Sequence, residues 1–103
     1  MAKYVLVFMG GRRPASEEEG QLVTAAWAEW FESLGDAVVD HGNPFGPSKT
    51  VGQNDMIQDG ASGATGYAII RADNFDGAVG YSRLCPHLQA EGTIEIYETF
   101  DVM

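Results

Sequence analysis

A chain of 103 residues, 45% hydrophobic and 20% charged, has room for one core and the composition of a folded domain rather than a disordered segment. Acidic residues outnumber basic ones 15 to 6, a formal charge of −9. That balance excludes nucleic acid and anionic membrane surfaces as partners, because both draw affinity from clustered Lys and Arg, and here only Arg12 and Arg13 are adjacent.

Residues Tyr4 to Met9 form an unbroken β-favouring run. Alternation sends Tyr4, Leu6 and Phe8 to one face and Val5, Val7 and Met9 to the other. Both faces are apolar, so both need cover. Two predicted helices can shield one face, and a second copy of the chain is the simplest cover for the other, so a homodimer is expected.

Gly10 to Ala15 read as a loop. Ser16 and Glu19 then form a capping box, with three glutamates in the first turn where the helix dipole is positive. The helix is predicted over Glu17 to Leu34, because Val23, Trp27, Trp30, Phe31 and Leu34 follow the 3.6-residue period, and Gly35 is its expected stop.

Ala37 to Val39 predict a short strand. The stretch from His41 to Thr65 is too long for a structureless loop in a compact domain. Lys49 to Val51 and Asp55 to Ile57 are expected to be short extended pieces, with turns at Gly42 to Pro47 and at Asp59-Gly60. A clearer strand runs from Gly66 to Ala72. Asn74 caps a second helix, about Phe75 to Leu84, which Pro86 stops. A last strand covers Thr93 to Phe100. Strand, helix, strand, strand, helix, strand is the α+β, ferredoxin-like βαββαβ sandwich.

Cys85 is the only cysteine, which rules out an intrachain disulfide and fits a cytoplasmic setting. The opening residues lack a basic segment followed by a long apolar stretch, so no secretory leader is expected. No apolar run reaches the roughly 18 residues of a membrane-spanning helix.

The opening Lys3-Tyr4-Val5-Leu6-Val7-Phe8-Met9-Gly10-Gly11 resembles the YCII-related family. So do Leu34-Gly35-Asp36-Ala37-Val38-Val39-Asp40 leading into Gly42-Asn43-Pro44, then Asp59-Gly60, Gly66-Tyr67 and Ala72-Asp73-Asn74-Phe75-Asp76. Cys85-Pro86, Gly92 and Ile94-Glu95-Ile96 complete a pattern that covers nearly all of residues 1–103 as a single YCII-like domain. The resemblance implies a dimeric α/β barrel, two ferredoxin-like subunits with facing sheets. Some members carry a His in the first helix and an Asp before the Pro that follows the second helix, proposed as a catalytic pair. This chain has Thr24 and Cys85 at those positions, so that pair does not carry over.

The remaining chemistry is sparse. His41, flanked by Asp40 and Asn43, is either a proton-transfer residue or a loop histidine bonded to backbone. Cys85 and His87 bracket Pro86; a thiolate activated by His is one reading, and a buried thiol under the last strand is the plainer one. Arg12 and Arg13 before a helix N-terminus are suited to an anion, but the nearby glutamates compete for them. Trp27, Trp30 and Phe31 form a stripe that belongs mostly to the core, with Trp27 the better candidate to line a cleft. Two His and one Cys spread along the chain do not make a metal site, and no cofactor is implied.

The function expected is that of a small-molecule-binding homodimer. If it is an enzyme, its chemistry is proton-transfer or lyase-like, with His41 as the base. Trp27 and Asn43 would contact the ligand, along with Arg12, Arg13, Cys85 and His87. The alternative is a non-catalytic protein-interaction module.

Overall fold

The structure is a computed structural model that describes residues 2–102. The strands are β1 (Ala2–Gly10), β2 (Val38–Asp40), β3 (Lys49–Val51), β4 (Ile57–Asp59), β5 (Ala64–Ala72) and β6 (Gly92–Glu98). The helices are α1 (Glu17–Leu34) and α2 (Phe75–Ser82), with short 3-10 turns at Gly35–Ala37 and Pro86–Ala90.

Four strands form one antiparallel sheet in the order β2-β5-β1-β6, and β3 pairs with β4 in a separate hairpin. Because β5 lies antiparallel between β1 and β2, the β1–α1–β2 crossover is split by a strand. The fold is therefore the ferredoxin-like α+β arrangement that the order of elements predicts.

Local chemistry explains both helices. The Ser16 hydroxyl accepts the Glu19 N–H at 3.1 Å, and Gly35 closes α1 at a φ of 55°. The Asn74 side chain accepts the Gly77 N–H at 2.8 Å and starts α2. The Trp30 indole N–H donates to the Tyr81 carbonyl at 3.0 Å, which ties α1 to α2.

The helices cover one face of the sheet. Tyr4, Leu6 and Phe8 of β1 pack there with Ala68, Ile70 and Ala72 of β5, under Trp30, Leu34, Ala78 and Cys85. Each large apolar side chain so buried contributes about 1.5–3 kcal/mol. On the helix-free face Val5, Val7, Met9, Tyr67 and Ile69 are only partly covered, and Val39 and Tyr97 are exposed. The register puts Val5 between Ile69 and Tyr97.

The molecule measures 46 × 41 × 18 Å, with a radius of gyration of 15.3 Å. A compact domain of this length would have about 13 Å. In the β3–β4 hairpin all six strand residues are exposed, Val51 and Ile57 among them.

Several element boundaries differ from expectation by one to three residues, two of them with consequences. The extended piece predicted at Asp55 to Ile57 is displaced to Ile57–Asp59, because Asn54 and Asp55 adopt left-handed φ angles of 59° and 61° and make the hairpin turn. The second helix ends at Ser82 instead of Leu84. Cys85 is accordingly not at an α-helix C-terminus; it precedes the Pro86–Ala90 3-10 turn. Among the described residues no helix is long and apolar enough to cross a membrane.

Candidate functional site

An opening between α1 and the sheet lies near the C-terminal end of β1, beyond the point where β2 stops. The chain after β2 folds back over this opening. Gly42 has a φ of 69°, and a side chain there would run into the Tyr67 backbone carbonyl. Opposite Phe8 on the neighbouring strand stands Gly66. A side chain at Gly66 would press within 3.3 Å of the Asn43 carbonyl and 3.4 Å of Pro44. Two glycines thus let the segment from His41 to Pro44 close against β5. Asp40 anchors it by accepting the Gly42 N–H at 2.8 Å and the Tyr67 hydroxyl at 3.2 Å.

The result is a cleft of about 580 Å³ between α1, the sheet and this segment. That volume lies within the roughly 300–1,000 Å³ typical of small-molecule sites. Five rings border it in a chain of contacts: His87 to Phe8 at 5.3 Å, Phe8 to Trp27 at 5.1 Å, Trp27 to Phe31 at 6.0 Å and Phe31 to His41 at 4.7 Å between centroids. The Phe8–Trp27 contact is edge-to-face, the arrangement favoured by the ring quadrupoles. An imidazole stands at each end of the arc.

No Lys, Arg, Asp or Glu borders the cleft among the described residues. Its polar side chains are Thr24, Thr65, Asn43, Tyr67, whose hydroxyl is given to Asp40, and the two histidines. Thr24 donates its hydroxyl hydrogen to the Gly20 carbonyl at 3.0 Å. Thr65 donates toward the Phe8 and Gly10 carbonyls at 3.2 and 3.1 Å.

The two histidines are held differently. His41 is exposed, its ring against Phe31. His87 is buried, and its Nε2 lies 2.9 Å from the Met9 carbonyl. Gly11 and Gly92 flank the ring: a side chain at Gly11 would come within 2.8 Å of Cε1, and one at Gly92 would overlap the imidazole.

The structure thus gathers Trp27, His41, Asn43 and His87 around one cleft. Cys85 and the two arginines lie elsewhere. Cys85 faces the core, and burial pushes its thiol from the ordinary 9.0 up to about 12, although the His87 N–H opposes the shift. Such a thiol is protonated at neutral pH and is no nucleophile. Arg12 pairs with Glu19 at 2.8 Å, which raises the guanidinium pKa and lowers that of the carboxyl; the Ala15 N–H also lowers the latter. Its charge is spent on α1, and Arg13 is exposed outside the cleft.

Phe8 and Thr65 border the cleft without having stood out as site candidates in the sequence, and Phe31, expected in the core stripe with Trp27, borders it too. The available signal was Gly66, a small residue in a strand, which leaves space beside whatever side chain it pairs with. Among the described residues no three His, Cys, Asp or Glu side chains come together as a metal site. No family model, curated protein or solved structure matches the chain, so the YCII-related resemblance rests on the sequence motifs alone.

Proposed function

We propose that this chain is a small-molecule-binding protein of the YCII-related type, that it works as a homodimer, and that its chemistry, if catalytic, is proton transfer at a cleft imidazole. The observation that carries the reading is the arc of five rings around a cleft with no charged wall. An apolar ligand gains dispersion and desolvation against such walls, and the imidazoles of His41 and His87 are the groups there suited to passing a proton.

The helix-free face supports the homodimer. Val5, Val7, Met9 and Ile69 are incompletely covered there, beside exposed Val39 and Tyr97. Facing a second sheet would remove that surface from water and yield the dimeric α/β barrel.

Two measurements test the reading. Light scattering at working dilution is expected to report twice the 11.1 kDa of one chain; a stable folded monomer overturns the dimer. A thermal-shift screen of uncharged aromatic and aliphatic fragments is expected to find ligands that raise the melting temperature and alter tryptophan emission in the wild type. Both effects are expected to fall sharply in Trp27→Ala. A screen with no such ligand overturns the binding reading. It would favour a protein-interaction module, a second reading to which the exposed apolar residues of the β3–β4 hairpin lend support.

A further inference from the structure

The polar groups of the cleft are biased toward accepting hydrogen bonds. A carbonyl can only accept, so the contact to Met9 makes His87 Nε2 the donor. In the neutral ring Nδ1 then carries the lone pair. Among the described residues no protein donor meets Nδ1 and no buried side-chain nitrogen or oxygen lacks a partner; Nδ1 is therefore reached by solvent, on a ring that borders the cleft. Thr24 and Thr65 behave alike, each giving its hydrogen to backbone and leaving oxygen lone pairs behind. The unspent donors, His41 and Asn43, belong to the segment after β2.

We propose that the cleft takes an uncharged, flat, largely apolar ring bearing an O–H or N–H group, which donates its hydrogen to Nδ1 of His87. The inference rests on the ligand-binding reading above and adds the class of ligand and the residue that recognises it. An organic anion is disfavoured: no cation borders the cleft, and the chain carries a formal charge of −9. The backbone at Gly11 and Gly92 lies close against the imidazole and Nε2 is bonded to Met9, so the acceptor is preset and little freedom is lost when the ligand binds. Of the two histidines, His87 has its tautomer specified by a backbone carbonyl, the arrangement that keeps one ring nitrogen free to accept a proton or a hydrogen bond.

The test compares three probes of nearly one shape: β-naphthol, its methyl ether and the corresponding naphthoate. Binding to the wild-type protein is followed by calorimetry and tryptophan emission. The naphthol is expected to bind about tenfold more tightly than the ether, as loss of one hydrogen bond to a buried acceptor predicts, and the naphthoate more weakly than either. His87→Phe keeps a flat ring beside Phe8 but has no hydrogen-bond acceptor. It is expected to bind naphthol and ether alike.

Nitrogen NMR of histidine-labelled wild-type protein gives an independent reading. The His87 Nδ1 resonance is expected to be that of an unprotonated ring nitrogen and to move with the naphthol but not with the ether. Equal wild-type affinities, a preference that survives His87→Phe, or a protonated Nδ1 in the neutral ring would each overturn the proposal while leaving the cleft a binding site. Failure of every probe to bind would overturn the ligand-binding reading with it. If the variant does not fold, the wild-type affinities and the NMR spectrum decide.

Discussion

The helix-covered sheet and the β3–β4 hairpin are both antiparallel β structure, yet they are held in opposite ways. Ile70 in β5 is fully buried, whereas Ile57 in β4 is 67% exposed. The sheet has helices on one face and a short strand at its β2 edge. The hairpin has only its own cross-strand bonds and an exposed Lys49–Asp59 ion pair at 2.6 Å. Pairing alone makes a strand, but burial makes it stable, since an isolated two-stranded hairpin is marginal in water. The hairpin is ordered by its turn and closed at its base, where the Gly60 N–H bonds to the Ser48 carbonyl at 3.1 Å.

The contrast is sharpest in the core. Ile70→Ala is expected to cost about 2–5 kcal/mol in urea denaturation, the range for deleting a fully buried aliphatic side chain. The same change at Ile57 is expected to stay within about 0.5 kcal/mol. Equal costs would break the comparison. A loss at Ile57 that shrinks with dilution would instead show that the hairpin touches a second copy.

A backbone change comes next. Gly42→Ala meets both a positive φ and the Tyr67 carbonyl, so a loss of about 1–3 kcal/mol is expected, together with weaker ligand binding, because the segment must lift from β5. Gly46→Ala, which meets nothing within 4 Å, is the matched control and is expected to be neutral.

The thiol gives a smaller, pH-dependent effect. Cys85 is raised from 9.0 to about 12 in the folded chain, so between those values the folded state holds a proton that the unfolded state has released. Its contribution is intact below about pH 9 and is lost as the pH rises toward 12. Cys85→Ala is therefore expected to flatten the alkaline limb of the stability curve. In the wild type at neutral pH, a thiol reagent is expected to label only unfolded chains. Rapid labelling of the folded protein would contradict the burial.

The smallest effect belongs to the hairpin's ion pair. Lys49→Gln is expected to leave urea stability unchanged within error, as exposed pairs are strongly screened. A measurable loss would mean that the hairpin is less solvated in solution than its exposure implies.

Much of the fold was legible in the sequence because its signals are local. Ser16 with Glu19 and Gly35 mark the ends of α1; the Ser16 half of the expected capping box forms and Gly35 closes the helix, while the Glu19 carboxylate pairs with Arg12. Alternation along Tyr4 to Met9 correctly assigns the buried and open faces of β1. The displaced β4 was harder to read: Asn54 and Asp55 tolerate the left-handed turn but do not require it. The site was legible only in pieces. Trp27, His41 and Asn43 were proposed as neighbours and do share the cleft. Arg12 was proposed as an anion holder, yet Glu19, seven residues on, takes its charge.

By itself, then, the sequence determined the elements and their order, since caps, periods and breakers act over a few residues. Only the tertiary structure decided between Cys85 and His87, two positions apart on the same turn. One points into the core and the other borders the cleft, because the pairing of β1 with β6 brings Met9, Gly11 and Gly92 around the imidazole from distant parts of the chain. Side-chain direction on a short turn depends on what packs against it, and no spacing rule carries that information.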